Sequence, residues 1–244
     1  MPIPRLIDDV LHEASGRAER RNAVTAPSGG PAGNALLIAW TGLLLLVLIA
    51  AELITLLDVR GLIDWHVGIG VLLIPVALLK TAATGWRILR YYTGHQPYRT
   101  AGPPPTLLRV LGPLVIASTL GLLASGIVLI VVGEERSRQN LFTALGQRVD
   151  LITVHQALFF AFAALAGLHL LARIAPALAL TSGRAPGRLG STTAVAGSGR
   201  RTLALSATVV AAVIAVVLLL PLADDWQDDG GGPGGPPPGS SSPP

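Results

Sequence analysis

Apolar residues in this chain gather into five long runs, separated by short polar stretches rich in Gly, Pro and Arg. The runs cover residues 35–57, 65–89, 107–132, 151–174 and 203–222. Each supplies roughly the 20 residues that a hydrocarbon layer of about 30 Å requires at 1.5 Å per residue. The short alternating segments of a membrane barrel do not occur. Lipid offers no partners to bare backbone, so helices are the remaining way to span. The pattern predicts an all-α integral membrane protein, a helical bundle with four spans over 34–175 and a fifth transmembrane helix over 202–223.

Composition sharpens this picture. Of 244 residues, 51% are hydrophobic and only 13% are charged, and the mean hydropathy is +0.60. The polar arm of residues 1–33 predicts a short helix near 4–20 followed by a flexible link, "TAPSGGPAGN". The first apolar run is too long for a signal-peptide core and is expected to stay as an anchor. Residues 93–106 read as a rigid proline-rich turn, and 176–201 as a loose Gly/Ser/Arg-rich loop. The tail over 224–244 is low-complexity and is not expected to fold.

The arginines orient the chain. With five spans, the N-terminal arm, the second loop and the fourth loop share one side, and these regions and their flanks hold most of the arginines. The opposite side has only Arg60, Arg136, Arg138 and Arg148. The positive-inside rule then predicts a multi-pass protein of the plasma membrane with a cytoplasmic N-terminus and an extracytoplasmic C-terminus. The net charge of +4 and pI near 10.3 follow from that topology. The arginines flank helices without interleaved aromatics, so no nucleic-acid partner is expected. The chain has no cysteine, which excludes disulfides, iron–sulfur clusters and thiolate metal sites but leaves histidine-ligated haem.

Polar groups at membrane depth are costly and need a reason. The candidates are Glu52, His66, Lys80, His155 and His169. The second and fourth spans run in the same direction. His66 and His155 lie near their outer ends and share a depth. Lys80 and His169 lie fourteen residues further along, a second shared depth about 21 Å below. Fourteen residues is close to four turns, so both positions on each helix face nearly the same way. Two co-directional helices with matched side chains can hold a flat ligand between them. Haem needs one axial ligand on each face, and neutral imidazoles serve. His66 and His155 form the expected ligand pair. Gly68, Gly70, Gly126, Ala50 and Ala51 are the small residues expected to admit a macrocycle. The tryptophans and Arg87, Arg90, Tyr91 and Tyr92 read chiefly as interface anchors, and Glu52 as an interhelical hydrogen-bonding or proton-transfer group.

The stretches "DWHVGIG" and "TVHQALFFAFAALAGLHLLAR" resemble the ligand-bearing helices of respiratory membrane cytochromes b. "KTAATGWRILRYYTG" and "YRTAGPPP" resemble actinobacterial cytochrome b subunits that accompany molybdopterin oxidoreductases. The likeness covers about residues 35–175. It implies a four-helix haem-binding bundle in which His66 and His155 match the outer ligand pair and His169 one inner ligand. Lys80 stands where the family's fourth histidine would be. The expected cofactor is therefore haem b, one at the outer depth, with a second at the inner depth an open alternative. A lysine amine there could serve as ligand, or bind a propionate or a quinone. The function implied is an electron-transfer subunit rather than a self-contained enzyme. It would link a quinone pool or membrane donor to an extracytoplasmic redox partner, a molybdopterin oxidoreductase by the resemblance. A transporter or scaffold, with the histidines used for packing or proton relay, is the other reading.

Overall fold

The computed structural model describes residues 30–102, 106–182 and 197–227, together with Asp8 and His12. Five long helices dominate: α1 (Gly30–Thr55), α2 (Ile63–Tyr92), α3 (Thr106–Val132), α4 (Leu151–Thr181) and α5 (Ser198–Leu219). All five are long and apolar enough to cross a membrane. The short helix expected near 4–20 and the tail from residue 228 onward lie outside the described residues.

The helices exceed the apolar runs at several ends. α2 and α3 continue without a break through Pro75 and Pro113, and α4 continues through Pro176 to Thr181. Prolines are accommodated in such helices because neighbouring turns and side chains re-satisfy the freed carbonyls. Residues 198–201, expected in the loop, instead form the first turn of α5. Gly197 takes φ +81°, a left-handed conformation that glycine adopts freely and that turns the chain into the helix. The proline-rich turn contains a helical turn, Gln96–Thr100, and Pro103, Pro104 and Pro105 lie outside the described residues.

Between α3 and α4 lies a small antiparallel hairpin, β1 (Phe142–Ala144) with β2 (Gln147–Val149), in the register Phe142 with Val149 and Ala144 with Gln147. Leu145 and Gly146 both have positive φ, as a tight two-residue hairpin turn demands. Asp150 then caps α4, its side chain accepting from the Thr153 backbone N–H.

α1 packs on α2, α3 on α4, α2 on α3 and α4 on α1, so the first four helices form a ring. α2 and α4 are the diagonal pair and make no substantial contact. α5 lies outside the ring against α2. Its 3₁₀ extension, Leu220–Trp226, folds over the ends of α2 and α3. Val67, Val71, Ile130 and Ala223 are buried together there, flanked by Ile63, Leu219 and Leu220. The α1–α2 turn, the hairpin and this 3₁₀ segment thus define one end of the bundle, here the hairpin end. Arg87, Tyr91 and Arg173 lie toward the other, the arginine end.

Candidate functional site

The centre of the ring is not filled by packed side chains. It is a cavity of about 1590 Å³ lined by α1, α2, α3 and α4 along most of their length. Ligand pockets usually enclose about 300–1,000 Å³. A dry void costs on the order of 24 cal/mol per Å³, so even a tenth of this volume would be expensive as a mere packing defect. The lining is mostly aliphatic. His66, Lys80, His155 and His169 all belong to it, and so does Glu52. The diagonal placement of α2 and α4 therefore brings the four residues singled out in the sequence onto one space.

His66 is the fourth residue of α2 and His155 the fifth of α4, so both sit at the hairpin end. They lie within electrostatic range of each other. The hydrogen bonds around them fix how each ring is presented. Thr55 Oγ1 donates to the Glu52 backbone oxygen at 2.6 Å. A hydroxyl has one proton, so toward His66 Nδ1, 3.0 Å away, Thr55 accepts. The Glu52 carboxylate also accepts from Nδ1, at 2.9 Å. Nδ1 of His66 therefore carries a proton, and in the neutral ring the lone pair lies on Nε2, an assignment made from the network. The same logic holds across the cavity. Ser125 Oγ donates to Leu122 O and accepts from His155 Nδ1, both at 2.8 Å. Among the described residues no hydrogen bond reaches Nε2 of either histidine. Two imidazoles on diagonal helices thus have Nδ1 tied to a neighbouring helix, which leaves Nε2 as the lone-pair nitrogen of the neutral ring.

Gly126 matters to this arrangement. A Cβ placed there would come within 3.4 Å of His155 Cε1, so glycine lets the ring lie against α3. Of the other small residues expected to border a macrocycle, Gly70 and Ala50 line the cavity. Gly68 instead faces Leu220 of the 3₁₀ segment, and Ala51 is not part of the lining.

Lys80 and His169 share the deeper level and lie within electrostatic range of each other and of Arg173. Their surroundings differ from those of the outer pair. Lys80 Nζ donates to Ile38 O of α1 at 3.0 Å. Gly42 makes room for it, since a Cβ there would sit 2.7 Å from Nζ. His169 Nδ1 is buried and, among the described residues, has no hydrogen-bond partner. The deeper level thus lacks the paired, tied-off imidazoles of the outer one.

Thr55, Ser125, Gly42, Arg173 and Trp226 were not marked as site residues by the sequence. Ser and Thr commonly bond back within their own helices, so nothing local distinguishes Thr55 or Ser125. Trp226, expected at the interface, lines the cavity with its Nε1 buried and unpartnered among the described residues. Trp40, Trp65 and Trp86 are exposed, as anchors are. No group of three or more His, Cys, Asp or Glu side chains converges among the described residues. A porphyrin brings four nitrogens of its own and needs only two protein ligands. No protein-family model, curated protein or solved structure matches this chain.

Proposed function

We propose that this protein is a membrane b-type cytochrome that carries electrons between a quinone pool or membrane donor and an extracytoplasmic redox partner. The observation that carries the reading is that His66 and His155, on diagonal helices, both line one large, mostly apolar cavity with Nδ1 hydrogen-bonded to a neighbouring helix and no hydrogen bond at Nε2 among the described residues. The residues present fit haem. His66 and His155 would hold the iron, Gly126 gives the His155 ring its place against α3, and Gly70 and Arg60 line the same cavity, Arg60 as a cation that could meet a propionate.

When bound, haem supplies reversible one-electron transfer, and two imidazole ligands leave no open coordination position. The chain does the rest. Glu52 and Thr55 hold His66 in the Nδ1–H tautomer, and Ser125 does so for His155; such partners orient a ligand and raise its basicity. The aliphatic lining keeps water from the centre, and Trp226 with the 3₁₀ segment covers the hairpin end. By the arginine distribution that end is extracytoplasmic, which suits electron exchange with a partner there, and a molybdopterin oxidoreductase is the partner suggested by the resemblance. Lys80 donates to a backbone oxygen, so the reading assigns one haem, at His66 and His155. His169 and Lys80 lie at the deeper level, apart from that ligand pair.

The test is a reduced-minus-oxidised spectrum of the purified protein with a pyridine haemochrome count. One b-type haem per chain is expected, lost in His66→Ala and in His155→Ala and kept in His169→Ala. Spectra that His66→Ala leaves unchanged would overturn the assignment.

A further inference from the structure

The hairpin between α3 and α4 is built as half of a larger sheet. Its two strands pair with each other, and neither makes substantial contact with a helix. Residues 141–148 are all exposed, the apolar Leu141, Phe142 and Leu145 among them. A two-stranded hairpin is marginally stable in water unless further strands or a helix pack on it. Leu145 adds to the difficulty. It takes φ +50° at the first turn position, where Asn, Asp or Gly is the usual choice and a bulky side chain is disfavoured.

The two open edges differ. In a two-residue hairpin the residues that close the turn, here Ala144 and Gln147, bond each other, so Thr143 and Arg148 turn their N–H and C=O groups outward. The β2 edge is therefore centred on a cation, a common guard against strand addition. The β1 edge, from Leu141 to Leu145, carries no charged residue. Of the segments outside the described residues, only the tail after Gln227 starts at the hairpin end. That tail consists of Asp, Gly, Pro and Ser, and all but Ser are strongly depleted in strands. The chain itself thus offers no suitable strand for the β1 edge.

The sequence of β1 is complementary to itself. Antiparallel pairing centred on Thr143 sets Thr143 opposite Thr143 of a second copy, Phe142 opposite Ala144, and Leu141 beside Leu145. Thr with Thr is a favoured cross-strand pair, and the other two set apolar against apolar. The outward N–H and C=O groups of the two Thr143 residues satisfy each other. The same operation on β2 would set Arg148 opposite Arg148, which is destabilising. We propose that two copies of this protein join through β1 into a four-stranded antiparallel sheet about a two-fold axis, an isologous contact. Both copies cross the membrane in the same sense, so the axis stands along the membrane normal and the shared sheet lies parallel to the bilayer surface. Leu145, fully exposed in the single chain, then meets Leu141 of the second copy, which accounts for a leucine in a turn suited to Asn or Gly. The inference is independent of what the cavity binds.

The experiment uses the absence of cysteine from the chain, since one introduced thiol can form a disulfide only with another chain. The full chain carrying Thr143→Cys is oxidised in membranes and in neutral detergent and run on a non-reducing gel. Opposed residues of a hydrogen-bonded antiparallel pair have Cα atoms about 5.5 Å apart, inside the range of about 4.4–6.8 Å that a disulfide spans. Thr143→Cys should be recovered mainly as a reducible homodimer, and Arg148→Cys, on the far edge, as monomer. Light scattering of the detergent-purified wild type should give the mass of two chains. Thr143→Lys, which opposes two like charges and removes the Thr pair, should weaken association about fivefold, and Gln147→Lys should leave it unchanged. The hairpin packs on no helix, so helix content should match wild type in every variant. A monomeric Thr143→Cys, equal cross-linking of Thr143→Cys and Arg148→Cys, or a single-chain mass for wild type would each overturn the proposal. A Thr143→Cys cross-link to a different protein in place of a second copy would overturn it too, by assigning the edge to a partner's strand. If Thr143→Lys does not fold, the two cysteine variants and the wild-type mass decide alone.

Discussion

The two outer histidines are held by unequal partners, and that inequality has a measurable consequence. His66 Nδ1 is shared between a carboxylate and a hydroxyl, Glu52 and Thr55, whereas His155 Nδ1 meets the Ser125 hydroxyl. Glu52 is mostly withdrawn from solvent, its side chain only 17% exposed, and its second oxygen is buried without a partner among the described residues. A carboxylate accepting from a ligand's N–H makes that ligand more electron-donating, which favours ferric over ferrous iron. Glu52→Gln keeps the shape and removes the charge. If the protein binds haem as proposed, the midpoint potential of this variant, followed by redox titration of the absorbance, should rise by tens of millivolts, about 59 mV for each tenfold change in the relative affinity of the two oxidation states. Ser125→Ala should move the potential less and loosen His155 instead. A potential that does not move, or falls, in Glu52→Gln would mean that the carboxylate does not act through His66.

At the scale of the element, α4 depends on its first turn. His155 lies one turn into the helix, and the turn is closed by Asp150, whose Oδ1 accepts from both the N–H and the hydroxyl of Thr153 at 2.7 Å. The Thr153 backbone N–H first, then its hydroxyl, hold the Asp150 carboxyl below the usual carboxylate range. A depressed folded-state value contributes stability above the ordinary carboxylate pKa and loses it as pH falls through the depressed one. Asp150→Ala should therefore lower stability by about 1 kcal/mol at neutral pH, the typical worth of such a cap. The gap in melting temperature from wild type should close on acidification; a gap independent of pH would exclude the cap as its cause. The helix that this cap starts was legible in the sequence, and so was the matched spacing of His66, Lys80, His155 and His169, because lipid forces long apolar runs and fourteen residues return nearly to the same face. The hairpin was not legible: its strands are three residues each, too short for an alternating pattern. Nor were Thr55, Ser125 and Gly42, whose roles arise only once the rotation of one helix against its neighbour is set. Lys80 was found at its depth, but its turn toward Ile38 depends on the absence of a side chain at position 42.

For the whole molecule, the decisive quantity is which side of the membrane the hairpin end faces. Both outer histidines, Glu52 and the 3₁₀ segment lie at that end, so the side of the proposed electron exchange follows from it. The arginines of the described chain favour the other end as cytoplasmic: Arg87, Arg90, Arg99, Arg109 and Arg173 lie toward it, while Arg60, Arg136, Arg138 and Arg148 lie near the hairpin end. That bias sets orientation when it is carried by short loops. The absence of cysteine from the chain makes the point directly measurable, because any single introduced cysteine is the only thiol. Leu145 at the hairpin tip is fully exposed, and Tyr92 at the end of α2 is 77% exposed. In intact cells a membrane-impermeant maleimide should label Leu145→Cys at once and Tyr92→Cys only after permeabilisation. The reverse pattern would place His66 and His155 beside the cytoplasm, and an extracytoplasmic redox partner would then have to reach them through the arginine end, across more than half of the bilayer. Electron tunnelling over that distance from the deeper level would require a second carrier near Lys80 and His169, so the labelling result decides whether one haem is sufficient for the proposed electron path.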